Sequence, residues 1–155
     1  FVTIQLLTGL RGGELLALTP EDVNIKNKTL RVNKTKHTSG IVTAPKTLSS
    51  VRTIEIDNST LNILMNYMTA SETIFDISMR NLNYHLKKLN VSTHIFRHTH
   101  VALLIESGVP IKVISERLGH SNINTTLNIY THVTANMKLD LRSKLDKLCA
   151  DFTQK

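Results

Sequence analysis

Tryptophan is absent from this 155-residue chain, and only seven residues are Phe or Tyr. That argues against an aromatic platform on which single-stranded bases would stack. Cysteine occurs once, at Cys149, which excludes a disulfide framework and a cysteine-based zinc site and fits a reducing, intracellular setting. No apolar run approaches the ~20 residues of a membrane span, and no secretory signal is visible. Negative charge is also scarce. Twelve Asp and Glu stand against 19 Lys and Arg, a net charge of +7, and a domain this basic points to a polyanionic partner, most often nucleic acid. Hydrophobic residues at 41% and charged residues at 20% exclude disorder. The length fits one domain.

The chain opens on the apolar segment Phe1–Leu7. A break follows at Thr8-Gly9-Leu10-Arg11-Gly12-Gly13, and Glu14–Leu18 resumes a helical pattern that Pro20 ends. Val23 and Ile25, then Leu30 and Val32, alternate with polar residues across a turn at Lys26-Asn27-Lys28. Ile54 and Ile56 alternate with Thr53 and Glu55, and a loop with Ser39-Gly40 and Pro45 lies between. From Lys26 to Arg52 there are seven basic residues and no acidic one, which reads as a solvated hairpin or as a surface facing phosphate.

Helices are predicted for the rest. Asn58, Ser59 or Thr60 caps one with Leu61, Leu64, Met65 and Met68 on one face, the methionines filling core. Another carries Leu82, Leu86 and Leu89. A third runs from about His94 to Ser107 with Val101, Leu104 and Ile105 inward. Ile111–Leu118 is next, then a short helix capped by Ser121 running toward Tyr130. A last one, capped by Thr134, has the stripe Met137, Leu141, Leu145 and Leu148, which packs on its own domain or on a neighbour. The sum is an α+β domain, mostly helical, with a small antiparallel three-stranded sheet.

Five of the seven histidines lie between 94 and 132. His94 and His98 have metal-ligand spacing on a helix. The zinc-peptidase Glu is missing, however, and Arg97 between them would repel a metal. Arg11 sits in the glycine turn, where backbone and guanidinium can both reach an anion, and Arg97 is expected in the first turn of its helix, where a cation is disfavoured. His120 follows the helix-ending Gly119. The segment Gly108–Ser121 reads as helix, turn, helix, similar to a DNA-binding helix-turn-helix.

Together these pieces resemble the catalytic domain of the tyrosine recombinases, the phage integrase family. The matching segments stand in the family's order: Thr8-Gly9-Leu10-Arg11-Gly12-Gly13-Glu14-Leu15; Pro45-Lys46-Thr47 with Ser50-Val51-Arg52-Thr53-Ile54; His94-Ile95-Phe96-Arg97-His98-Thr99; Leu118-Gly119-His120-Ser121; and Ile129-Tyr130-Thr131-His132. No active-site position departs from the family pattern. The resemblance implies Tyr130 as the nucleophile that forms a 3′-phosphotyrosyl bond. Arg11, Arg97 and His120 would stabilise the phosphorane-like transition state, with Lys46 as general acid, His94 assisting and Glu14 orienting the basic groups.

Lys34 and Lys36 are rivals for the lysine role and, with Arg52, are expected along the DNA backbone. Tyr67 and Tyr84 are read as packing, and His98, His100 and His132 as structural or peripheral. The resemblance further implies no metal or other cofactor, double-stranded DNA as partner, a homotetramer on DNA, and a phage or bacterial protein of the cytoplasm. Residues 1–155 would be a C-terminal catalytic domain, without the family's N-terminal core-binding and arm-binding domains. Two other readings stand beside this one: a non-catalytic DNA-binding module and a type IB topoisomerase-like strand transferase.

Overall fold

The computed structural model describes residues 1–68 and 72–137, without the side chains of Leu48 and 132–137. The expectations for Leu141, Leu145, Leu148 and Cys149, and for the side chains of His132, Thr134 and Met137, lie outside the described residues. Helix α1 is Val2–Thr8. Gly9 ends it with φ +69°, and its N–H donates to Gln5 O. Helix α2 is Gly12–Leu16. Strands β1 (Val23–Asn24), β2 (Thr29–Val32) and β5 (Arg52–Glu55) form an antiparallel sheet in the order β1-β2-β5, pairing Val23 with Leu30 and Leu30 with Ile54. This is the expected three-stranded sheet, although Ile25 is half exposed and lies beyond β1.

A second pair, β3 (Thr35–Lys36) with β4 (Val42–Thr43), occupies what read as loop. Two residues per strand are too few to show alternation. Short backbone bonds close this hairpin, His37 N–H donating to Ile41 O and Gly40 N–H to His37 O.

Helices α3 (Asn58–Tyr67), α4 (Met79–Lys88), α5 (Thr93–Glu106), α6 (Ile111–Leu118) and α7 (Asn124–Met137) follow. Asp57 caps α3, its carboxylate accepting from the N–H groups of Ser59 and Thr60. It leads the three expected capping residues because an extended Asp just outside a helix satisfies two orphan donors at once. Met65 is exposed, as is Leu89 at the end of α4, so neither fills core. α7 runs through Thr134, and no new helix starts there.

Two apolar clusters result. The larger joins α1–α4 to the sheet through Ile4, Leu15, Leu30, Ile54, Leu64 and Leu82. The smaller joins α5 and α6 through Val101, Ile105, Ile114 and Leu118, with Ile129 of α7 against it. The inward face of α5 changes character along its length. Thr93, Arg97 and His100 are buried at one end, Val101 and Ile105 at the other. This is one helical face by spacing, and its polar half lies where the two clusters meet.

Candidate active site

Glu14 is the centre of the polar half. Its side chain is 4% exposed. One oxygen, Oε1, accepts from Arg11 Nη1 at 2.8 Å and from Arg52 Nη1 at 3.1 Å. The other, Oε2, accepts from the Arg11 backbone N–H at 2.8 Å and from Arg52 Nη2 at 3.0 Å. Arg97 Nη1 stands 4.0 Å from the same oxygen. Burial pushes the Glu14 carboxyl up, but the hydrogen bonds and charges of Arg52 and Arg11 outweigh it and hold the group below its ordinary range. One carboxylate thus gathers three guanidinium groups.

Arg97 is the fifth residue of α5, just past the first turn in which it was expected, because the helix starts at Thr93. It is 4% exposed and bridges the two halves of the domain. Its Nη1 donates to Gly9 O and its Nη2 to Leu118 O, both at 2.7 Å. Burial, with Arg11 and Arg52 against Glu14, pulls it down to about 9, so it stays cationic at neutral pH. Gln5, fully buried, donates to Leu10 O and to Thr93 O and ties the glycine turn to the start of α5. His100 Nδ1 is 2.7 Å from Leu6 O. A carbonyl only accepts, so Nδ1 carries the proton, and Nε2 accepts from Arg117 Nε at 3.3 Å. Burial, against the Leu6 bond, lowers His100 to about 4.

His120 follows Gly119, which closes α6 with φ +66°. A Cβ on Gly119 would lie 2.7 Å from Ser49 O, so only glycine lets the Ser49 turn pack under this position. His120 Nδ1 is 2.8 Å from the Oγ1 of fully buried Thr126 on α7. Burial, then Arg97, Arg11 and Arg52, lower it to about 4, so it is neutral at pH 7.

Arg11, His94, Arg97 and His120 line one cavity of about 220 Å³, together with His98, Ser121, Thr125 and Ile129. An adjoining cavity of about 380 Å³ shares Arg11 and Ser121 with it and is bordered by Lys46, Glu14 and His37. A third, of about 610 Å³, shares Arg11 and His94 and reaches Asn83 and Lys87 on α4. Four of the six expected catalytic residues therefore face one space, and Lys46 faces the next. Tyr130 lies outside the lining. It is on α7, 37% exposed, one residue beyond the lining Ile129 and one helical turn beyond Thr126.

The three residues expected along a DNA backbone sit differently. Arg52 is turned inward, with its side chain 8% exposed and its guanidinium committed to Glu14, Ser50 O and Arg117 O. A basic residue on a strand reads as solvated until its partner, Glu14, 38 residues away, is known. Lys34 is paired with Asp22 at 2.7 Å and with the Thr19 hydroxyl. Lys36 is half-buried on β3. His98, expected to be structural or peripheral, lines the cavity. Its spacing of four from His94 was the available signal. Helix α4, expected from Leu82 and Leu86, also carries exposed Arg80, Lys87 and Lys88 and no acidic residue. Among the described residues no group of three or more potential ligands could hold a metal ion, and no helix is long and apolar enough to cross a membrane.

The Phage integrase family matches this chain over residues 1–137. The integrase of Staphylococcus phage L54a is 36% identical across 95% of the chain and 51% of its own length. The ICEBs1 integrase of Bacillus subtilis (strain 168) is 33% identical across 96% and 48%. Among solved structures, the Tn1549 transposon integrase in complex with transposon right end DNA superposes with a TM-score of 0.70 at 25% identity, covering 96% of this chain and 57% of that one. The chain spans about half the length of the curated relatives it matches.

Proposed function

Since the chain belongs to the phage integrase family, we propose that it is the catalytic part of a site-specific DNA recombinase that cleaves and rejoins strands through Tyr130. The observation that carries this reading is the convergence of Arg11, His94, Arg97 and His120 on one cavity of about 220 Å³, with Lys46 beside it. Phosphoryl transfer needs little covalent help but a preorganised set of donors around the equatorial oxygens. Two guanidiniums and a neutral imidazole, each fixed by buried partners, supply them.

In the proposed reaction the Tyr130 oxygen attacks the scissile phosphorus. The Tyr130 O–P bond forms and the P–O5′ bond breaks. The phenolic proton passes to His94, and the Lys46 ammonium gives a proton to the departing O5′. The products are a 3′-phosphotyrosyl bond and a free 5′-hydroxyl. Attack by the 5′-hydroxyl of another strand reverses these steps and reseals the DNA without ATP. Tyr130 stands one residue beyond the cavity-lining Ile129, and a strand laid over the cavity would bring its phosphate to both.

The duplex beyond that phosphate is assigned to the exposed basic face of α4, because Arg52 and Lys34 are already paired within the protein. The chain would act as the C-terminal catalytic domain of a longer protein, as a homotetramer on two DNA sites in the bacterial cytoplasm. The helix-turn-helix reading has less support, since α6 buries Ile114, Ser115 and Leu118 and lends Leu118 O to Arg97.

The test uses the whole protein and a nicked suicide duplex that traps the cleaved state. The parent is expected to form a covalent protein–DNA adduct and Tyr130→Phe none. An adduct with the Phe variant overturns the assignment.

A further inference from the structure

We propose that Arg52 is a positioning residue for strand cleavage: it fixes the Glu14 carboxylate from behind, and Glu14 in turn sets the Arg11 guanidinium at the cavity. The inference rests on the functional reading above. Arg52 borders none of the three cavities, so it acts through another group. Its geometry is a fork on a carboxylate, Nη1 to Oε1 at 3.1 Å and Nη2 to Oε2 at 3.0 Å, the arrangement that gives direction as well as charge. Arg11 holds the same two oxygens from the other side, through Nη1 and its backbone N–H. Each carboxylate oxygen therefore accepts two hydrogen bonds, and Glu14 has no freedom to turn.

Arg52 is itself immobilised. Nε donates to Arg117 O at 2.7 Å and Nη1 also donates to Ser50 O at 3.0 Å. Four of its five N–H groups are committed. Those bonds reach the three segments that carry the site. One is the Arg11–Glu14 turn, one is the Ser50 turn that follows Lys46, and one is the end of α6 just before His120. The missing side chain at Gly119 makes room, since a Cβ there would lie 3.0 Å from Arg52 Nη1. A lysine at position 52 would keep the charge but present three donors from a single atom, and could not span Glu14, Ser50 and Arg117 together.

The experiment compares the whole protein with Arg52→Lys, Arg52→Gln and the exposed-charge control Arg31→Gln, measuring single-turnover cleavage at saturating DNA, DNA affinity and thermal melting. Arg52→Lys is expected to slow cleavage by about 100-fold, the scale of a misplaced reacting group. Its DNA affinity should stay within about threefold of the parent, because Arg52 is buried and borders none of the three cavities. Arg31→Gln should leave the saturated cleavage rate unchanged. Arg52→Lys cleaving within about threefold of the parent overturns the proposal, because charge alone would then suffice. A loss in affinity that accounts for the whole defect overturns it too. So does failure of both Arg52 variants to fold at the assay temperature, which would make Arg52 a structural clamp only. A parent protein that forms no adduct is a different result and overturns the functional reading instead.

Discussion

Gly9→Ala tests how tightly the site's scaffold is held. Gly9 has φ +69°, and a Cβ built there would lie 2.4 Å from His100 Cδ2 and 2.8 Å from Leu118 Cδ2. Gly108 has φ +78° with nothing within 4 Å of the same added atom. The two glycines pay the same backbone penalty on substitution, about 1–2 kcal/mol for an L-residue in the left-handed region. They differ in space. His100 cannot swing aside, because Leu6 O and Arg117 Nε hold its two ring nitrogens, and Leu118 is fully buried. Overpacking of this kind costs about 1–3 kcal/mol. Gly9→Ala should therefore lose about 1–3 kcal/mol more than Gly108→Ala, which lowers its Tm a further ~2–4 °C per kcal/mol in a domain of this size. Paired thermal and urea melts of the two variants measure the difference. Equal losses refute the reasoning, since they would mean that the imidazole relaxes freely. Gly9 O also accepts from Arg97, so the same variant should cleave DNA more slowly.

Glu14→Gln leaves three guanidiniums around a neutral amide whose NH₂ opposes one of them. Removing one partner from a buried pair costs about 3–5 kcal/mol, and a loss below about 1 kcal/mol by urea melt would show that repulsion among the arginines already cancels the carboxylate's benefit. Because the folded carboxyl titrates below its ordinary value, its contribution is present above about pH 4.5 and is lost as pH falls further, so the gap between parent and variant should narrow in acid. His100 and His120 are both lowered from 6.5 to about 4. Between those values the unfolded chain binds more protons, so stability should fall as pH drops through that window. A Tm that stays flat from pH 6.5 to 5 would count against both burials, and His120→Asn should make the fall shallower.

The residues legible in the sequence were those whose type clashed with their local context. Arg11 in a glycine turn, Arg97 near the start of a helix, where a cation is disfavoured, and His120 behind a helix-ending glycine were all conspicuous, and all three border the cavity. The three-stranded sheet and most helices were legible from periodicity. What escaped was the supporting layer, and the reason is distance along the chain. Gln5 donates to Thr93 O 88 residues away, Arg52 to Arg117 O 65 away and Arg117 to Glu55 O 62 away. Those acceptors are backbone carbonyls, which carry no residue identity and leave no pattern. Met65 and Leu89 were misplaced for a related reason, since an apolar residue at the edge of a helical stripe is consistent with either side until the neighbouring element is known.

The arrangement around Glu14 is poorly suited to stability alone. A buried ion pair contributes little beyond a well-packed apolar substitute, and this cluster is worse than a pair. Three cations share one anion, a formal excess of two positive charges, and the mutual repulsion is visible in the lowering of Arg97 by Arg11 and Arg52. In the proposed reaction a bound phosphodiester brings one negative charge. The phosphorane-like state, with the tyrosine oxygen added as phenolate, brings two. The cluster is therefore closest to neutral when that state is formed and remains overcharged when it is empty or holds only ground-state DNA. Interactions that strengthen between ground state and transition state are the ones that accelerate chemistry, and a fixed surplus charge held by buried partners is such an interaction. On this argument the repulsion among Arg11, Arg52 and Arg97 is an unfavourable term that the fold carries until a second negative charge develops at phosphorus.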